Sequence, residues 1–246
     1  VIIPCEGEIY RNAAVPVTYI GHPLAEMIPL EPDQAGARAT LGLPADGKIV
    51  AILPGSRMGE LKYLVEPFLK AARLLYQRDR SLRFIAPMAG ERQRAFFHEL
   101  VARHGLQDVP VELVDGQSHA VIAAADAVLA ASGTATLEVA LFKKPMVIAY
   151  KVLGASYQIM RHMGYQPWIG LPNILAREFV VPELIQHAAT PEAIADAMWT
   201  QLTDEANRRK LKQRFTDMHH SLLRDSSRES AQAVMNIIES TRQRAV

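Results

Sequence analysis

Apolar and polar positions along this chain fall into two alternating kinds of block. Short apolar runs occupy Lys48 to Leu53, Leu82 to Ala86, Val111 to Val114, Ala127 to Ala131 and Pro145 to Tyr150. Between them, apolar residues recur at helical spacing. Leu61, Leu64, Val65, Phe68, Ala72, Leu75 and Tyr76 form the clearest amphipathic stripe. Residues 91–104 read as a polar helix closed by Gly105, and residues 117–125 and 134–142 as two further helices. Buried strands alternating with helices predict βαβ units and a parallel sheet covered on both faces. Right-handed crossovers place the loops that follow the strands along one edge, where open α/β sheets bind ligands.

The flanks differ. Val1 to Pro4 reads as a buried strand, followed by a polar connector and a second strand at Val17 to Ile20. Gly21-His22-Pro23-Leu24 reads as a turn, and residues 33–41 as a short helix with Asp33 as its N-cap. After Tyr150, residues 154–163 have a helical pattern, and Gly164 to Asn173, rich in glycine, proline and aromatics, reads as an irregular loop. From Pro182 onward the pattern is all helix: 183–188, 191–203, 204–224 and 226–240. The expected fold class is α/β: a Rossmann-like parallel sheet with a helical C-terminal tail.

Composition narrows the function. The 49% hydrophobic and 22% charged fractions belong to an ordinary globular chain with a sizeable core. A net charge of +1 gives no reason to expect a nucleic-acid partner. The single cysteine, Cys5, excludes an internal disulfide and a Cys-rich metal site. No apolar run approaches the roughly 18–20 residues that span a bilayer. The charge is uneven, with nine Lys/Arg against four Asp/Glu in residues 207–246. Such a tail suits either a solvated helix face or an anionic membrane surface. The opening Val1-Ile2-Ile3-Pro4, without an initiator methionine, reads as the middle of a strand, so the chain is expected to be the C-terminal part of a longer one.

Two strand-to-helix turns carry the candidate chemistry. Leu53-Pro54-Gly55-Ser56-Arg57 ends one strand, and Glu60 opens the next helix. Such a turn offers backbone N–H groups and a guanidinium to a diphosphate. The plainer alternative is a surface turn with a solvated arginine. Ser132-Gly133-Thr134 ends another strand, with Glu138 one turn into the helix. Small residues at a helix start let an anion approach the backbone. Glu138 has the wrong spacing to close a capping box with Ser132 or Thr134, so its carboxylate is available to ribose hydroxyls. His22 and Asn173 are weaker candidates: taken alone, each is read first as structural, His22 in a turn and Asn173 as a helix N-cap. The sequence lacks a Walker A loop, a Gly-x-Gly-x-x-Gly, a Cys-x-x-Cys and a Ser/His/Asp elbow, and its histidines lack metal spacing. Neither a metal nor a cofactor is expected.

Several motifs then occur in one order: Gly21-His22-Pro23-Leu24, Leu53-Pro54-Gly55-Ser56-Arg57 with Glu60, Ala131-Ser132-Gly133-Thr134-Ala135-Thr136-Leu137-Glu138, Leu171-Pro172-Asn173-Ile174-Leu175-Ala176, and Val181-Pro182-Glu183-Leu184-Ile185-Gln186. The succession resembles the lipid-A-disaccharide synthase family over nearly the whole chain. The resemblance implies the C-terminal half of a GT-B glycosyltransferase. It divides the chain into a remnant of the N-terminal domain (1–20), a UDP-sugar donor domain (21–165), and a cleft loop with C-terminal helices (166–246). It implies transfer of 2,3-diacylglucosamine from UDP-2,3-diacylglucosamine to 2,3-diacylglucosamine 1-phosphate, without a metal. It places Gly55, Ser56, Arg57 and Glu60 at the UDP diphosphate, Ser132, Gly133 and Thr134 at the phosphate-binding helix start, Glu138 at the ribose, and Asn173 and His22 in or beside the cleft. The family's general base lies in the N-terminal domain, about the first third of its length, so this chain is expected to bind UDP without transferring sugar. The implied location is cytoplasmic, peripheral on the anionic inner membrane of a Gram-negative bacterium, with C-terminal helices available for exchange in a homodimer. Other UDP-GlcNAc-type GT-B enzymes, such as an epimerase or a peptidoglycan transferase, and a non-catalytic nucleotide-binding module remain alternatives.

Overall fold

The computed structural model describes residues 1, 3–4, 6–152 and 167–244, with side chains described up to residue 239. In chain order the elements are α1 (Glu6–Asn12), α2 (Pro23–Met27), α3 (Gln34–Thr40), β1 (Ile49–Leu53), α4 (Met58–Arg78), β2 (Arg83–Met88), α5 (Glu91–Arg103), β3 (Val111–Asp115), α6 (Ser118–Ala124), β4 (Ala127–Ala131), α7 (Ala135–Leu141) and β5 (Met146–Tyr150). Then follow α8 (Leu171–Ala176), β6 (Glu183–Ile185), a 3-10 turn (Gln186–Ala188), α9 (Pro191–Thr203), α10 (Glu205–Leu222) and α11 (Ser226–Arg244).

The strands form one parallel sheet of order β3-β2-β1-β4-β5-β6. The order reverses between β1 and β4, which pair with Val50 opposite Ala127 and Leu53 opposite Ala130. Both strands are buried along their whole length. Alternation along β1 divides the core in two. Val50 and Ile52 pack with Leu64, Phe68 and Leu75 of α4 and with Ile194 and Met198 of α9. Ile49, Ala51 and Leu53 face Val121, Leu137, Leu211 and Phe215 on the other side. Burial on both faces explains why these strands read as continuous apolar runs.

Several expectations need correction. Residues 1–20 contribute no strand to the sheet; the supposed connector is α1, while Ile2 and Cys5 lie outside the described residues. The Val1 ammonium donates to Thr18 O at 2.8 Å, and Ile20 N–H donates to Val1 O at 3.2 Å. That isolated pairing has no neighbouring strand on which a ladder can grow. The expected turn at residues 21–24 continues into α2. The expected loop through Asn173 ends earlier, because α8 begins at Leu171 with Pro172 in its first turn. Residues 183–185 are a strand, not a helix: they complete the sheet edge beside β5, with Ile148 opposite Glu183. The helix expected at 154–163 lies outside the described residues.

Candidate active site

The loops after β1, β2, β3 and β4 enclose a cavity of about 490 Å³ at the strand-order reversal. Gly55, Ser56, Arg57, Glu60, Ser132, Gly133, Thr134 and Glu138 all line it. Two turns widely separated in sequence thus share one wall of space, at the place where doubly wound sheets bind ligands.

The first turn is shaped by a close backbone approach. Gly55 has φ +102, and an added Cβ would lie 2.1 Å from Glu60 Oε2. Glu60 accepts from the Arg57 N–H through Oε2 and from the Arg57 guanidinium through Oε1, each at 3.2 Å. The carboxylate therefore closes the start of α4 and curls the turn over it. The Arg57 side chain is 85% exposed, and among the described residues its guanidinium is held by this solvated contact alone, with donors to spare. Gln93 of α5 donates to Ser56 O at 3.1 Å and ties the turn to the next unit.

The second turn is braced from behind. Ser132 N–H donates to Ala149 O, and its hydroxyl donates to Ile169 O at 3.1 Å. Thr136, fully buried, donates to Gly133 O at 2.7 Å and accepts from Leu171 N–H at 3.3 Å. The Glu183 carboxylate accepts from the N–H groups of Ile169 and Gly170, both at 2.9 Å. At Gly170 an added Cβ would lie 2.3 Å from Ile148 Cδ1 and 3.1 Å from Glu183 Oε1, so a larger residue there requires both side chains to give way. Gly133 and Thr134 are left exposed at the cavity rim. Glu138 is half-buried there, with His119 Nε2 3.4 Å from its Oε2.

Asn173 and His22 are placed elsewhere. Asn173 is fully buried and does not line the cavity. Its amide donates to Val181 O at 2.9 Å and to Glu183 Oε1 at 2.8 Å, while its carbonyl accepts from the N–H groups of Val180 and Val181. With every site on the amide occupied, it holds the 167–183 loop together. His22 is the N-cap of α2: its Nδ1 accepts from Leu24 N–H at 3.2 Å, and its backbone N–H donates to Leu222 O. Burial lowers its pKa below the usual imidazole value.

Sequence reasoning missed Met88, Gly116, Gln117 and Ser118, which complete the lining. Gly116 (φ +61) and Gln117 (φ +52) form a left-handed turn at the end of β3. Gly116 between a predicted strand and a predicted helix was the available signal.

A family profile described as lipid-A-disaccharide synthetase matches residues 1–238. The chain belongs to the lipid-A-disaccharide synthase family. The synthase of Paraburkholderia phymatum is 50% identical over 243 residues, covering 99% of this chain and 62% of that protein. The synthase of Burkholderia vietnamiensis is 51% identical over 244 residues, again covering 99% and 62%. The chain thus spans less than two thirds of the length of these relatives. Among solved structures, HepE of Anabaena, in complex with UDP and glucose, superposes with a TM-score of 0.56 at 18% identity, over 91% of this chain and 56% of that one. That likeness shows a shared fold. Among the described residues, no helix is long and apolar enough to cross a membrane.

Proposed function

We propose that this chain is the UDP-sugar donor half of a lipid-A-disaccharide synthase. In that reaction the bond between the sugar's anomeric carbon and the UDP β-phosphate oxygen breaks. The hydroxyl of 2,3-diacylglucosamine 1-phosphate attacks the same carbon and loses its proton to a base, and UDP departs. The observation that carries this reading is the convergence of the Gly55–Arg57 and Ser132–Thr134 turns on one cavity. Arg57 meets the diphosphate and stabilises the charge that develops as UDP leaves. The exposed Gly133–Thr134 backbone approaches a phosphate, and Glu138 accepts the ribose hydroxyls. Asn173 acts by bracing, through Glu183, rather than by contact.

The acceptor and its general base are assigned to the part of the relatives' length outside this chain, and with them the sugar transfer itself. The working location is the anionic inner leaflet, as a peripheral protein. The exposed Val234, Met235 and Ile238 of α11 offer an apolar surface to a second subunit. Calorimetry with UDP tests the donor reading. Binding is expected in the intact chain and a weakening in Arg57→Ala. No heat with UDP, or equal affinity in the variant, would refute it.

A further inference from the structure

A second cavity, of about 840 Å³, opens at the opposite edge of the sheet, where β4 and β5 begin. Its character is cationic. Lys143 and Lys144 come from the loop after α7, and Arg208, Arg209 and Lys212 from one face of α10. On α10, Arg208 and Lys212 border one side of the buried Leu211, Phe215 and Leu222 stripe, and Arg209 lies further round toward solvent. Glu31, Asp126 and Glu205 also reach this cavity. Two of these carboxylates are already engaged. Asp126 accepts from Arg38 and from the Ile49 N–H, each at 2.7 Å, and Glu205 lies 3.5 Å from Arg208.

Lys144 is the residue that needs explaining. It is 8% exposed, and among the described residues no hydrogen bond holds its ammonium; the Asp126 carboxylate is the opposite charge that favours it, while Arg38, Arg208 and Lys212 oppose it. Lys143, equally buried, differs: its ammonium donates to Pro29 O at 3.3 Å and meets His219 Nδ1 at 2.6 Å. The Lys144 stem is buried while its ammonium end opens on the cavity, where burial and the neighbouring cations disfavour the charge and Asp126 offsets that only in part. A further anion in the cavity relieves the repulsion.

We propose that this second cavity binds a phosphate-bearing anion, with Lys144 as its central contact and Arg208 and Lys212 as its walls. The ligand chemistry is that of a phosphate mono- or diester, free in solution or borne on a lipid head group. Burial holds the Lys144 pKa down to about 8, so the ammonium form still predominates at neutral pH. The site is independent of UDP binding, because it lies at the other end of the strands.

Site-resolved acetylation of lysines, read by mass spectrometry on the full chain, tests the proposal. The arms are inorganic pyrophosphate, sodium chloride at matched ionic strength, vesicles containing phosphatidylglycerol, and vesicles of phosphatidylcholine alone. At ligand about tenfold above its Kd, acetylation of Lys144 and Lys212 is expected to slow about tenfold. Protection by pyrophosphate identifies a free anion, and protection by phosphatidylglycerol but not phosphatidylcholine identifies a head group; either result supports the site. Equal labelling in every arm overturns it. Lys144→Met, which keeps the buried volume, is expected to remove the protection of Lys212 while leaving thermal unfolding as cooperative as in the parent. Full protection of Lys212 in that variant also overturns the proposal.

Discussion

The two edges of the sheet hold charge in opposite ways. At the C-terminal edge the cavity is built from backbone and small side chains, with Arg57, Glu60 and Glu138 as its charged lining. At the N-terminal edge it is built from long basic side chains brought together from a loop and a helix. Strand ends explain the difference. Where strands end and helices begin, chain turns present N–H groups and can accept a ligand against the backbone. Where helices end and strands begin, the backbone presents carbonyls, so an anion there must be met by side chains. The first edge meets a ligand largely through backbone; the second does so through charged side chains.

The sharpest way to break this comparison is to attack the brace rather than the lining. Asn173→Ala leaves the Val180 and Val181 N–H groups without their acceptor, at a cost of roughly 2–4 kcal/mol in unfolding free energy. Denaturant titration reads it, and a change below about 0.5 kcal/mol would show that the brace is dispensable. Arg57→Ala is expected to weaken UDP about 10–100-fold, because a charge-assisted pair is lost. Its melting temperature should stay within about 1 °C of the parent, since the guanidinium is exposed.

A pH series sharpens the contrast. Lys143 and Lys144 both have pKa values lowered to about 8 by burial. A bound anion favours the ammonium form, so affinity for pyrophosphate at the second cavity is full below pH 8 and falls as pH rises through it. The drop between pH 7 and pH 9 is expected to be about tenfold, following the fraction protonated. UDP affinity in the first cavity, which has no lysine in its lining, should lack that inflection. Arg209→Ala makes the smallest change: its side chain is at the exposed rim, and pyrophosphate affinity should fall by no more than about threefold.

The same contrast explains what could be read from sequence. The C-terminal edge was legible because a tight turn restricts residue type. Gly55, Gly133 and their hydroxyl neighbours stand together in the chain, and the apolar runs before them mark strands. The brace was partly hidden. Glu183 sits in a segment whose apolar content suits a short helix as well as a strand, and only pairing with β5 decides. Asn173 was visible as a motif residue, but its burial depends on a loop folding back onto it. The N-terminal edge was invisible as a site. The Lys143–Lys144 pair is far in sequence from the Arg208–Lys212 pair, and the basic tail alone did not say that one face of α10 turns toward two lysines.

Gly170 carries a consequence for which substitutions the sheet edge tolerates together. Its φ of −87 is open to any residue, so nothing in the backbone demands glycine there. The demand comes from across the sheet, where Ile148 Cδ1 occupies the space a methyl group would need. Positions 148 and 170 are therefore a coupled pair in packing. A side chain at 170 requires the Ile148 terminal methyl to turn aside, and a shorter residue at 148 makes that room in advance, so a double variant is expected to lose less stability than the two single changes added together.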